Sequence, residues 1–172
     1  MPQSPLRIME GTVLPIQALI QRDIAAQLAI VSADRPDNRV SMEPPKDYFI
    51  FDNAIGYRCP AIFIIGDSVD LALDRGQNFI SSKNTVYVSA LIEDRNADLL
   101  TLKCWRYQDA LFALLDQAHI DVVGANIKNV IKVIKIEYSN TFQAKAQKPG
   151  ESDNPFRKEV MLTLEVEHFE KR

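Results

Sequence analysis

One helix set between alternating segments constrains this chain more than any other feature. Across residues 96–118, Leu100, Cys104, Tyr107, Leu111, Leu114 and Ala118 recur at alternating spacings of four and three, the stripe that an α-helix turns towards a core. Asn96 is placed to cap this helix, and Asp98 suits its first turn, where the helix dipole favours negative charge. Trp105 and Phe112 lie seven apart on the flank of the stripe, as core edge or as a partner surface. Ahead of the helix, residues 85–92 (TVYVSALI) put Val86, Val88, Ala90 and Ile92 on one face of a strand, opposite Tyr87, Ser89 and Leu91. Behind it, residues 130–138 (VIKVIKIEY) are rich in β-branched side chains. Residues 157–169 then place Val160, Leu162, Leu164, Val166 and His168 on one face, with Thr163, Glu165 and Glu167 on the other.

The first half of the chain adds a second helix. Pro2 and Pro5 punctuate a flexible lead over residues 1–11. Thr12 then caps a helix running to about residue 32, with Pro15 tolerated in its first turn. Ile16, Ile20, Ile24, Leu28 and Val31 define its apolar face. Residues 33–47 are Pro-rich and charged and read as a long loop. A short strand is expected at 48–51 (YFIF) and another at 61–66 (AIFIIG) after Pro60. Both faces of AIFIIG are apolar, which predicts cover on both sides, by helices on one and by a further layer or a second subunit on the other. Residues 67–84 are mostly polar and read as an extended arm or hairpin turning near Gly76, with Asp74 and Arg75 near its tip. Residues 141–155 form a polar loop. The elements run α-β-β-α-β-β: an α+β fold, a small and mostly antiparallel sheet with two helices on one face.

At 172 residues, with 47% hydrophobic and 25% charged residues, the chain suits a single domain over residues 1–172 with a sizeable core. A formal net charge of −3 argues against an electrostatic grip on nucleic acid or anionic lipid. No apolar run approaches the ~20 residues of a membrane span, and the first residues lack the apolar core of a leader. These features imply a cytoplasmic chain. Cys59 and Cys104 stand 45 positions apart in apolar contexts and read as reduced, buried thiols.

No cluster of residues reads as chemistry. His119 and His168 have no metal-ligand spacing around them, and Ser81, Ser82 and Ser89 sit in no nucleophile elbow. On this reading replacing His119 and His168 together by Gln leaves assembly intact, apart from a modest loss of stability. The six glycines form no phosphate-binding loop. The acidic pairs Glu93/Asp94, Asp67/Asp70 and Glu165/Glu167 read as solvated surface. Lys128, Lys132 and Lys135 alternate with Ile and Val, and no aromatic platform interleaves them; they read as snorkelling lysines rather than a nucleic-acid stripe. The expectation is therefore no catalytic residue, no metal and no cofactor: not an enzyme.

Over roughly residues 12–169 the order and texture of the chain resemble the tail terminator and tail-completion proteins of long-tailed phages of the lambda type. The resemblance rests on the opening helix, the strand in CPAIFIIGD and the polar arm VDLALDRGQNFISSKN. It continues through VYVSALIED, the helix ADLLTLKCWRYQDALFALL with its RYQDAL stretch, and the closing strands VIKVIKIEYS and EVMLTLEVEHF. The longer loop over 34–57 departs from the smallest members. The resemblance implies a virion protein that closes into a ring, usually a homohexamer, capping the tail tube and meeting the head connector and neck proteins. DNA would pass through such a ring without sequence-specific binding, and a mildly acidic subunit suits that passage. Assembly would take place in the host cytoplasm, the product residing in the tail or neck of the virion. Asp74, Arg75, Trp105 and Phe112 are the residues placed to meet a neighbouring subunit or the tube. A head–tail joining or stopper protein of the neck is the second reading, and a small binding module or enzyme the third.

Overall fold

A computed structural model of the chain describes residues 7–35, 37–51, 56–72, 79–122, 124, 126–143 and 155–171. In chain order the elements are α1 (Glu10–Ala33), β1 (Asp47–Phe49), β2 (Ala61–Ala72), β3 (Phe79–Asp94), α2 (Ala97–Leu115), β4 (His119–Val122), β5 (Ile127–Tyr138), β6 (Phe142–Gln143) and β7 (Phe156–Lys171). The strands form one seven-stranded sheet in the order β1-β2-β3-β7-β5-β4, with β6 continuing beside β7 past the end of β5. Every pairing is antiparallel except β1 with β2. The α+β class expected from the sequence is the fold observed.

The alternation in the sequence becomes the two faces of this sheet. Val86, Val88, Ala90 and Ile92 of β3 and Val160, Leu162, Leu164 and Val166 of β7 are buried beneath the helices. They meet Ile16, Ile20, Ile24 and Leu28 of α1 and Leu100, Cys104, Tyr107 and Leu111 of α2 in one core. Asn96 caps α2 as expected, its side-chain oxygen accepting from the backbone N–H of Asp98 and Leu99 at 2.9 and 3.1 Å. Thr12 does not cap α1. The helix starts at Glu10 with Met9 at the cap position, so the expected lead over residues 1–11 reaches into the helix, and Gly11 and Thr12 are buried within its first turn.

Of the two covers expected for the second face of AIFIIG, a further layer or a second subunit, the chain itself supplies one. Cys59, Ala61, Phe63 and Leu91 form a small apolar cluster on the face away from the helices, with Phe49, Tyr57 and Ile65 packed around it. Phe63 stacks on Phe49 at 5.3 Å between ring centres and meets the Tyr57 ring edge-on at 5.8 Å. The short parallel strand β1 brings Phe49 beside Phe63 in register, a pairing that sequence periodicity alone does not reveal.

Residues 67–84 extend the sheet. Asp70 pairs with Lys83 and Ala72 with Ser81 across the β2–β3 hairpin, while residues 79–84 also pair with β7. Ile80, Ser82 and Asn84 are buried, so this half of the segment belongs to the fold rather than standing free of it. The tip, including Asp74, Arg75 and Gly76, lies outside the described residues.

Candidate functional site

The outer surface of α2 carries the sequence-derived candidates. Its inner face is fully occupied by core contacts, and on the other side Trp105 and Phe112 remain 46% and 41% exposed. Two helical turns apart, they sit about 10 Å from each other along the axis. Between them Asp109 forms an ion pair with Arg35 from the end of α1 and accepts from Gln108 Nε2 at 3.1 Å. The result is two aromatic side chains flanking a charged bridge, a mixture typical of the centre and rim of an association surface. Asp74 and Arg75, the other two candidates, lie outside the described residues, so nothing here brings them towards Trp105 and Phe112.

A neighbouring residue on α2 does work that the stripe did not announce. Arg106 is 97% buried, leaving 3% of its surface exposed. Its guanidinium donates to the backbone carbonyls of Val40 at 3.3 Å and Asp37 at 2.9 Å. Tyr107 adds a hydrogen bond from its hydroxyl to the carbonyl of Glu43. Burial pushes the Tyr107 hydroxyl well above the usual phenol range, keeping it a neutral donor. Together the two side chains strap the loop over residues 37–43 against α2, meeting the carbonyls of Asp37, Val40 and Glu43 that would otherwise lack partners where the loop packs down. An RY pair after a tryptophan carries no periodic signal for this.

The second polar constellation lies inside the molecule, where the start of α1 crosses the sheet. His168 is fully buried, and its Nδ1 lies 2.8 Å from Asn129 Oδ1 and 3.4 Å from Thr12 Oγ1. The hydrogen-bond roles follow from the partners. Thr12 gives its hydroxyl hydrogen to the Ile8 carbonyl at 2.7 Å and accepts from Asn84 Nδ2 at 2.7 Å. Asn129 donates to the Gly11 carbonyl at 2.8 Å, which turns its oxygen towards His168. The proton therefore sits on Nδ1. Nε2 faces Glu170 Oε2 at 3.5 Å. Burial lowers the His168 pKa, opposed by the hydrogen bond and charge of Glu170, so the ring is neutral at neutral pH. Gly11 permits the close approach: a Cβ there would lie 2.8 Å from Ile127 Cδ1 and 3.2 Å from His168 Cε1. His168 is thus a working part of the fold, tied into a buried polar network. His119, by contrast, is exposed on β4, a short strand just past the expected end of the helix at 118 that the sequence pattern does not show; the helix itself ends at Leu115.

These residues lock a helix to a sheet. The two thiols are buried and pushed up to about 12 by loss of solvation, which leaves them poor nucleophiles. Among the described residues no group of three or more His, Cys, Asp or Glu side chains is placed to hold a metal ion. Nor, among the described residues, is any helix long and apolar enough to cross a membrane. A mainly apolar hollow of about 290 Å³ is lined by Phe79, Val122, Ile127, Phe169 and Lys171.

No family model matches the sequence, and no curated protein is similar to it. Among solved structures, a chain from the virion of a native gene transfer agent particle matches with a TM-score of 0.40 and 9% identity, over 93% of this chain and 95% of that one. A likeness at that level carries no functional argument.

Proposed function

We propose that this chain is a structural subunit of a phage-like virion, closing into a ring that terminates the tail tube and joins it to the head connector. The observation that carries the reading is the outer face of α2. Trp105 and Phe112 stay half exposed on a helix whose inner face is already filled, and a monomer gains nothing from aromatic area held in water. The lambda-type order of elements supports the same reading, with a homohexamer as the expected ring. The chemistry supported at the histidines and cysteines is structural, and the proposal includes no catalytic step.

Light scattering on the purified protein, with negative-stain microscopy, tests the ring. Incubation with purified tail tubes and with head connectors tests where it docks. Rings that cap tubes support a terminator, whereas rings that bind connectors and leave tubes uncapped favour a stopper of the neck. A monomer at all concentrations with a saturable small ligand overturns both.

A further inference from the structure

The sheet ends in two bare edges that differ in charge. On one side β1 covers β2 only at Ala61, Ile62 and Phe63; from Ile64 to Ala72 that edge has no strand beside it among the described residues. On the other side β4 covers β5 only from Ile127 to Val130. The next backbone groups are met by Ala118 and by the Asp116 side chain, after which residues 134–138 have no neighbouring strand on the side away from β7 among the described residues. Unpaired N–H and C=O groups in a row are a template for another strand.

What each edge displays is complementary. The bare stretch of β2 exposes Asp67 and Asp70 together with Val69 and Leu71, and β5 exposes Lys132 and Lys135 together with Ile134 and Tyr138. Lys135 also pairs with Glu137 on its own strand at 2.8 Å, and Asp70 lies opposite Lys83 in register. Three successive antiparallel steps, β2 to β3 to β7 to β5, make β2 and β5 run in opposite directions. Two copies in the same orientation therefore bring β5 of one beside β2 of the next as an antiparallel pair. Self-pairing through a two-fold axis would set Asp67 and Asp70 against themselves, or Lys132 and Lys135 against themselves, and like charges facing across strands repel. Charge selects the front-to-back contact over both symmetric ones.

We infer that the bare β2 edge of one copy pairs with the bare β5 edge of the next, continuing the sheet from subunit to subunit through Asp67 and Asp70 against Lys132 and Lys135. This inference rests on the ring proposed above and names its contact. A repeated front-to-back contact either closes or grows, and each edge carries an irregularity, between Gly66 and Ser68 on β2 and between Val133 and Lys135 on β5, that bends a sheet locally as closure requires.

The test is a charge exchange on the full chain, followed by sedimentation velocity. Asp67→Lys with Asp70→Lys makes both edges basic, and Lys132→Glu with Lys135→Glu makes both acidic. Each variant alone should need about tenfold or more protein to assemble than the wild type. Mixing the two, or combining all four substitutions in one chain, should restore assembly, and added salt should weaken every assembled form. All four positions are exposed, and circular dichroism checks that the fold is kept. If the wild type assembles and the two variants assemble equally well, the edge contact is wrong while the ring reading stands. The same conclusion follows if both variants fail and neither mixing nor combination restores them. If the wild type itself stays monomeric, the bulges and lysines merely guard the edges, and the ring reading falls with the contact.

Discussion

Where both helices cover the sheet, Ile62, Ile64, Val88, Ile92, Leu162, Tyr107 and Leu111 close a dry core. Further along the same strands, under the first turn of α1, the sheet presents Ser82, Asn84, Asn129 and His168, all buried and polar. The apolar end obtains its stability from area removed from water, which many side chains of similar volume would supply. The polar end depends on partners: His168 and Asn129 stand level across β7 and β5 and bond to each other, and a slip of one residue would turn them to opposite faces. One end gives most of the stability; the other fixes where the strands and the helix sit relative to each other.

Leu111→Ala should show the largest effect. Leu111 is fully buried between α2 and the sheet, and truncation should cost about 2–5 kcal/mol in denaturant unfolding; a loss under about 0.5 kcal/mol would place it on the surface. At the polar end, His168→Leu keeps the volume but strands Asn129 Oδ1, and should cost about 1–3 kcal/mol. A stabilised variant would show that the network contributes position and no net energy.

A smaller effect separates the two ends by pH. The folded state holds His168 below its ordinary value of 6.5 through burial. The unfolded chain therefore takes up a proton first as pH falls, and the stability associated with the neutral ring is present above about 6.5 and declines below it. Melting curves between pH 7.5 and 5.5 should decline more steeply for the wild type than for His168→Gln; parallel declines would assign the pH dependence elsewhere. The smallest change in fold stability is expected outside both ends. Trp105→Ser with Phe112→Ser should stay within about 0.5 kcal/mol of the wild type for the folded monomer while abolishing tube capping or ring formation. Normal capping would remove the α2 surface from the assembly.

The apolar end was largely legible in the sequence, because period-two and helical spacings act through neighbours a few residues apart. Val160 to Val166 and Ile16 to Leu28 were visible on that ground; for Trp105 and Phe112, off the α2 stripe, the pattern left core edge and partner surface open, and the fold leaves both half exposed. The polar end was not. His168 is buried because Asn129 stands beside it from 39 residues away and Thr12 above it from 156 residues away, and no local pattern encodes such partners. Arg106 was hidden for the same reason: its burial depends on the carbonyls of a distant loop. The four residues of β4 are too few to show a period, and the cover over Phe63 depends on a parallel strand only three residues long.

The place of β7 in the sheet has a consequence for how the chain folds. The last described strand lies between β3 and β5, and it joins Phe79 to Lys171 and Ile127 to Glu170. During synthesis the β2–β3 hairpin and both helices emerge while the middle of their sheet is still missing. Contacts so far apart along the chain close slowly, and until they do the inner edges of β3 and β5 are open to any passing strand. Late docking of β7 should therefore be the slow event in refolding, and a chain cut before Phe156 should aggregate rather than persist as a smaller folded unit.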